Sequence, residues 1–420
     1  MKIFKKIILP LMLVCIMLFA LVGCVNEGDV NSLKSQLEQL QQELEDLKGS
    51  KADADKTIEE LQDEIKQLKA SKTIADISYD KIKYIDANLH DRDCYSGEQF
   101  KATQSWIKAA ALAAGYAESA ITTQDVTTTA YAKKDEADEK FSAANSYTTD
   151  GKLYKKSGRN YVEAEDGEYV KASVITPNII ITKPGKSEKQ IIVGAHYDGD
   201  GTGDNGSGIA LALTTAEKFV SIETSYTIVF VFFTAEEYGC YGSTAYANAM
   251  SDTEVENTLY MINMDSLVCG DYCYIYGGVM NKDEKTVTQT EAYDNAMAIG
   301  KSLGLDLHSN PWTWENPEPD PENGGEPKYA SPSTGDWSDH KGFKKRGIKY
   351  LYMEATNWEI PGPYGEYDGY GETQLVGMLM NTKNDYLEYI EHYFPGRIQS
   401  HLSTFAPLLY ALLVQPNVNF

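Results

Sequence analysis

Four short stretches in the middle of this 420-residue chain carry side chains that bind metals or move protons. The first, Ala195-His196-Tyr197-Asp198, follows an apolar run at 190–194. The second, Gly203-Asp204-Asn205-Gly206-Ser207-Gly208, opens a helical pattern. In the third, the apolar run 227–233 closes on Thr234-Ala235-Glu236-Glu237, and in the fourth the run 259–264 closes on Asp265. One imidazole among several carboxylates is a mixed nitrogen and oxygen donor set, which suits zinc. Asp198, two residues past His196, is placed to orient the imidazole ring from behind. A lone histidine at a strand end is usually structural, and paired glutamates usually line a wet surface. Here all of these groups stand where buried runs stop. Adjacent strand side chains point apart, so Glu236 and Glu237 can take different roles, one as ligand and one as proton carrier.

The elements that must position these groups alternate in type. Strands are expected at 178–182, 190–194, 227–233, 259–265 and 348–353, and helices at 98–115, 209–219, 245–250, 291–303 and 402–413. Ser96 is a candidate cap for the first of these helices. The run 227–233 is apolar throughout, as a strand covered on both faces must be. Pro184-Gly185 between the first two strands reads as a turn, so those strands are expected to form a hairpin. The polar segment 122–174, rich in Tyr and Thr, reads as strands and loops. This alternation predicts an α/β sandwich with a largely parallel central sheet. Ligands of such sheets bind beyond the carboxyl ends of the strands, where His196, Asp204, Glu236, Glu237 and Asp265 should converge.

The N-terminus has a different character. Lys2, Lys5 and Lys6 precede an apolar run at 7–21 that ends in Leu21-Val22-Gly23-Cys24. The run is short for a spanning helix and reads as a signal peptide over residues 1–23. The four-residue ending resembles the lipobox of bacterial lipoproteins, with Cys24 as the lipid-bearing residue, so the chain is expected to be exported and anchored to the outer face of the cell membrane. Residues 24–30 form a short tether. Residues 31–72 repeat apolar positions at alternating spacings of four and three, a coiled-coil pattern with self-association as its usual consequence. The globular composition of residues 73–420 marks the main domain. A net charge of −24 excludes nucleic acid, which needs a basic footprint. Cys94, Cys240, Cys269 and Cys273 are too few for a disulfide framework; Cys269 and Cys273 are close enough in sequence to pair or to stay as two buried thiols.

In their order, His196-Tyr197-Asp198, the Gly203–Gly208 loop, Glu236-Glu237 and Asn263-Met264-Asp265 resemble the zinc exopeptidase family M28. That resemblance implies a three-layer α/β/α sandwich, peptide substrates and two zinc ions. It implies His196 and Asp265 on the first zinc, Asp204 bridging, Glu237 on the second, and Glu236 as general base. It leans towards aminopeptidase activity, with a glutaminyl-cyclase-like acyltransferase and a catalytically impaired surface binding protein as alternatives. One position departs. The family's last histidine ligand corresponds to Asn381, in Met380-Asn381-Thr382-Lys383-Asn384-Asp385, and His340 is the substitute candidate. The aromatic, acidic segment 311–329 is either a solvated loop or a wall of the substrate cleft.

Overall fold

The structure, a computed structural model, describes residues 38–39, 73–95, 98–133, 146–149, 152–157, 160–317, 326–360 and 371–414. The signal peptide, tether and most of the coiled-coil segment lie outside the described residues, as does Ser96. By its internal contacts the chain divides into Met1–Thr73 and Ile74–Phe420. The second unit holds every element named below.

Helices α1 (Ile74–Asn88) and α2 (Glu98–Ala114) come first, then strand β1 (Ile121–Lys133). Three short strands, β2 (Ser146–Thr149), β3 (Lys152–Ser157) and β4 (Asn160–Glu163), form a small sheet of their own. The chain continues through β5 (Tyr169–Lys183), β6 (Ser187–His196), α3 (Gly206–Phe219), β7 (Tyr226–Phe233), α4 (Tyr241–Ala249), α5 (Asp252–Asn257) and β8 (Thr258–Met264). Next are β9 (Tyr272–Gly277), the hairpin β10 (Val279–Asn281) with β11 (Thr286–Thr288), α6 (Glu291–Leu303), α7 (His340–Lys345) and β12 (Tyr350–Thr356). Helices α8 (Leu387–Tyr393) and α9 (Arg397–Val414) close it.

The main sheet has seven strands in the order β1-β5-β7-β6-β8-β12-β9. Its central four, β7-β6-β8-β12, are parallel, and β5 and β9 run antiparallel to the strands they flank, with β1 antiparallel to β5. Strand side chains alternate between two cores. Ile191, Val193 and Ala195 of β6 face the larger one, with α1, α2, α3, α6 and α9. Ile192 faces the other, with Phe233, Ala247, Met250 and Phe343 from the side of α4 and α7. Helices on both faces give the three-layer α/β/α arrangement, with the sheet mixed and largely parallel.

The expected hairpin of 178–182 with 190–194 does not form. β7 lies between β5 and β6, antiparallel to the first and parallel to the second. The reason is burial: from Ile228 to Phe233 every residue of β7 is buried, so this strand needs a neighbour on each edge and a cover on each face. The turn at Pro184-Gly185 serves that arrangement. A side chain on Gly185 would run into the backbone of Tyr226 and Thr227, so the connection passes directly against the start of β7. Cys94, Cys240, Cys269 and Cys273 are all buried free thiols.

Candidate metal centre

Parallel strands β6, β7 and β8 end side by side, and each end delivers a functional group. His196 is the last residue of β6. Its Nδ1 lies 3.2 Å from the backbone carbonyl of Asp198, which fixes the ring and turns Nε2 inward. That Nε2 lies 3.1 Å from Asp204 Oδ1 and 3.2 Å from Asp265 Oδ1. Ligand atoms of His196, Asp204 and Glu237 all fall within 4.8 Å of one another.

Asp204 sits in the loop before α3. Asn205 caps that helix by accepting from Gly208 N at 2.9 Å. The same amide donates to Met264 O at 2.8 Å and accepts from Ser266 N at 3.3 Å, which ties the Asp204 loop to the end of β8. Behind the loop, Asp385 accepts from Gly203 N at 2.7 Å and from Asp204 N at 2.8 Å. Arg92 reaches the same loop from the other side. Its backbone N–H donates to Gly199 O and its Nη2 to Gly201 O, each at 2.8 Å.

Past β7 the chain turns sharply. Thr234 N is held at 3.0 Å by Asn178 Oδ1, and Ala235 takes a left-handed φ of +54°. The kink brings the N–H groups of Glu236 and Glu237 onto the Asp198 carboxylate, at 3.0 and 3.2 Å. So Asp198 orients His196 through its carbonyl oxygen, whereas its carboxylate, with Oδ1 3.8 Å from Nδ1, clamps the two glutamates. Asp265 is fixed by Ser338 Oγ, which donates to Oδ2 at 2.6 Å and itself accepts from Asn263 Nδ2 at 2.7 Å.

The electrostatics are those of a site built for a cation. Burial raises Asp204 and pushes Glu236 and Glu237 well above the ordinary carboxylate range, with neighbouring carboxylates adding to the effect. Burial alone would lower His196, but Asp265 and Asp204 outweigh it and hold the imidazole well above its usual value. Asp265 is correspondingly lowered, because His196 offsets its burial. Metal ligation needs the neutral imidazole, so a divalent ion bound among these carboxylates would compete with a proton on His196. Buried carboxylates and one oriented imidazole fit zinc.

The two alternative ligands are placed differently. His340 is fully buried, its Nε2 on Gly335 O at 2.9 Å and its ring stacked on Tyr350 and Tyr352 at 4.6 and 4.9 Å. It belongs to the aromatic layer between β12 and the 335–340 turn, and it lies outside the group that could hold a metal. Asn381 is exposed, with a left-handed φ of +57°, in the turn between Met380 and Thr382. Asp265 lies against His196, as the resemblance implies, and Asp204 and Glu237 stand with His196 in the group whose ligand atoms come together. The described part of segment 311–329 is anchored rather than loose: Asn310 Nδ2 donates to Tyr329 O at 2.6 Å, and Trp312 packs on the aromatic cluster around Tyr274 and Trp358.

Sequence reasoning missed Arg92, Asp385 and Ser338 as site residues. Asp385 ends a stretch already singled out, and Ser338 lies two residues before His340. Arg92 had no local signal, because it reaches the backbone carbonyl of Gly201 across 109 residues.

Residues 178–387 match the model of peptidase family M28. The alkaline phosphatase isozyme conversion protein of Escherichia coli is 30% identical over 267 residues, covering 58% of this chain and 72% of that protein. The chain belongs to peptidase family M28. Leucine aminopeptidase 2 of Trichophyton rubrum is 35% identical over 109 residues, but only 22% of its length is covered. Among solved structures, a zinc aminopeptidase from Bacillus subtilis superposes with a TM-score of 0.51 at 16% identity, over 82% of this chain and 96% of that one. An aminopeptidase from Aneurinibacillus sp. strain AM-1 gives 0.54 at 16%, over 81% and 94%. A glutaminyl cyclase from an Acidobacteriales bacterium gives 0.52 at 15%, over 82% and 96%. At these identities the solved structures share the fold and leave the reaction open.

Proposed function

We propose that this protein is a zinc-dependent exopeptidase of the aminopeptidase type. The observation that carries the reading is the convergence of His196, Asp204 and Glu237, with the buried Glu236 beside them, in a chain of peptidase family M28. Zinc bound by these residues would lower the pKa of a water and polarise the scissile carbonyl. Glu236 would serve as general base, taking a proton from the attacking water and giving it to the leaving amine. Burial holds its carboxyl above the ordinary carboxylate range, the direction a proton carrier needs. Asp198 holds both glutamate backbones, so the base and the ligand keep a fixed separation.

Charge favours the amino end of a peptide. The chain's net charge of −24 attracts a substrate α-ammonium group and repels an α-carboxylate. The N-terminal sequence supports a protein exported and lipid-anchored at Cys24, with residues 31–72 as a self-associating stalk.

The test uses purified protein and peptides with free or blocked N-termini, with and without chelator, beside Glu236→Gln. Expected are chelator-sensitive release of N-terminal residues, no turnover of blocked peptides, and a loss of about 10²- to 10⁴-fold in the variant. Zinc-loaded protein that turns over no peptide would instead point to the surface binding protein; cyclisation of N-terminal glutamine would point to the acyltransferase.

A further inference from the structure

A carboxylate that moves a proton must point at one place, and a glutamate side chain has several bonds about which it can turn away. The Asp198 carboxylate accepts from the backbone N–H of Glu236 at 3.0 Å, which fixes the main chain but not the side chain. Among the described residues, the hydrogen bond that reaches the Glu236 carboxylate comes from Cys240, whose Sγ donates to Oε1 at 3.4 Å.

The turn after β7 is folded to make this contact. Gly239 N and Cys240 N both donate to Glu236 O, at 2.7 and 2.8 Å, while Tyr241 N donates to Ala235 O at 3.1 Å and Gly242 N to Thr234 O at 3.0 Å. Residue 240 is thereby brought back beneath residue 236. Cys240 takes a left-handed φ of +58°, a conformation that a residue with a side chain keeps only where its surroundings hold it. They do so here: its carbonyl accepts from Thr244 N at 3.1 Å and from Ser243 Oγ at 3.3 Å.

The place needs a donor. Asp339 is fully buried, and its charge bears on both Glu236 and Cys240. An acceptor at residue 240 would face carboxylates with no proton to offer them. Cys240 is itself only 3% exposed, and burial, with the charges of Glu236 and Asp339, raises its thiol well above the ordinary value, so it keeps the proton that it donates.

We infer that Cys240 is a positioning residue for the reaction, its S–H bond to Oε1 holding the Glu236 carboxylate in the orientation from which it serves as base. The inference rests on the proposed role of Glu236 and adds the residue that aims it.

The experiment has two arms, both on the full-length protein in detergent with zinc present. The first reads the infrared S–H stretching band of Cys240, isolated as the difference between wild type and Cys240→Ala. In the Glu236→Gln background the same difference band should move to higher frequency, because a bond to a carboxylate has become a weaker one to an amide. A band that stays in place overturns the inference. The second arm is steady-state hydrolysis of a peptide with a free N-terminus. In Cys240→Ala, kcat should fall about 3- to 30-fold while KM stays within about twofold. Cys240→Ser, which keeps a donor, should recover most of the loss, and zinc affinity measured by chelator competition should match wild type in both variants. Unchanged kcat in Cys240→Ala, or a loss of zinc affinity as large as the loss of kcat, would overturn the inference. Should Cys240→Ala fail to fold, the shift of one S–H component between wild type and Glu236→Gln decides. If wild type hydrolyses no peptide, the peptidase reading falls and the band still decides whether the thiol holds Glu236. If peptides are hydrolysed equally well without the thiol, the peptidase reading stands and this inference falls.

Discussion

Asp385→Asn tests whether the metal centre is held from behind. Asp385 is buried, and each of its carboxylate oxygens accepts one backbone N–H of the loop that carries Asp204, at 2.7 and 2.8 Å. Its own carbonyl accepts from Thr202 N at 3.0 Å, so three consecutive residues hang on this one side chain and its backbone. Asparagine keeps the shape but must turn an NH₂ towards one of the two N–H groups. A charge-assisted bond worth about 1.5–3 kcal/mol is lost, and a buried N–H is left facing a donor. Burial raises Asp385 to about 8, so the comparison belongs at about pH 9, where the wild-type group is ionised. We expect the displaced loop to misplace Asp204 and zinc affinity to fall about 10- to 100-fold, the range for residues that orient metal ligands. Chelator competition measures it, with thermal denaturation of the metal-free protein alongside. A variant that melts earlier but binds zinc as tightly as wild type would refute the reasoning, because Asp385 would then support the fold and not the ligand.

Asp198→Asn removes one of the two bonds to Glu236 N and Glu237 N; kcat is expected to fall about 10- to 100-fold, following a loss of about 1.5–3 kcal/mol, and steady-state kinetics with unchanged kcat would contradict this. A pH effect on stability follows from His340, whose pKa burial lowers to about 4. The unfolded chain takes up this proton near about pH 6.5 and the folded protein only near about 4. The stability contribution is therefore complete above about 6.5, is lost as pH falls towards 4, and then levels off, with a ceiling of about 3 kcal/mol. Denaturant unfolding of wild type and His340→Gln across about pH 4–7 should show the variant's stability varying less over that window; parallel curves would show that His340 does not titrate as argued.

Much of the arrangement was legible because it is local. The apolar run of β7 announces a strand covered on both faces, and Glu291–Leu303 is a helix over the residues its pattern predicts. The glycine-rich stretch before α3 is read from its composition, and Asn205 does cap the helix there. Strand β9 was not anticipated: it pairs antiparallel with β12 along the edge of the sheet, and a six-residue run rich in tyrosine carries little periodicity to reveal it. The hairpin expectation failed for a related reason. A turn signal says that the chain reverses, but not which strand will lie beside the one that leaves it.

The sequence by itself determined the donor types, their order, and their position at the ends of buried strands, because these follow from side-chain chemistry and hydrophobic pattern. Only the tertiary structure decided which donors share a place. It put Asp385 behind Asp204 from 181 residues away, set Arg92 against Gly201 across 109 residues, and laid His340 between two tyrosines instead of beside His196. Each of these depends on the order of strands in the sheet and on the packing of the loops beyond it. Burial enforces such contacts across the whole domain, since a charged or hydrogen-bonding group removed from water must find its partner wherever the fold brings one.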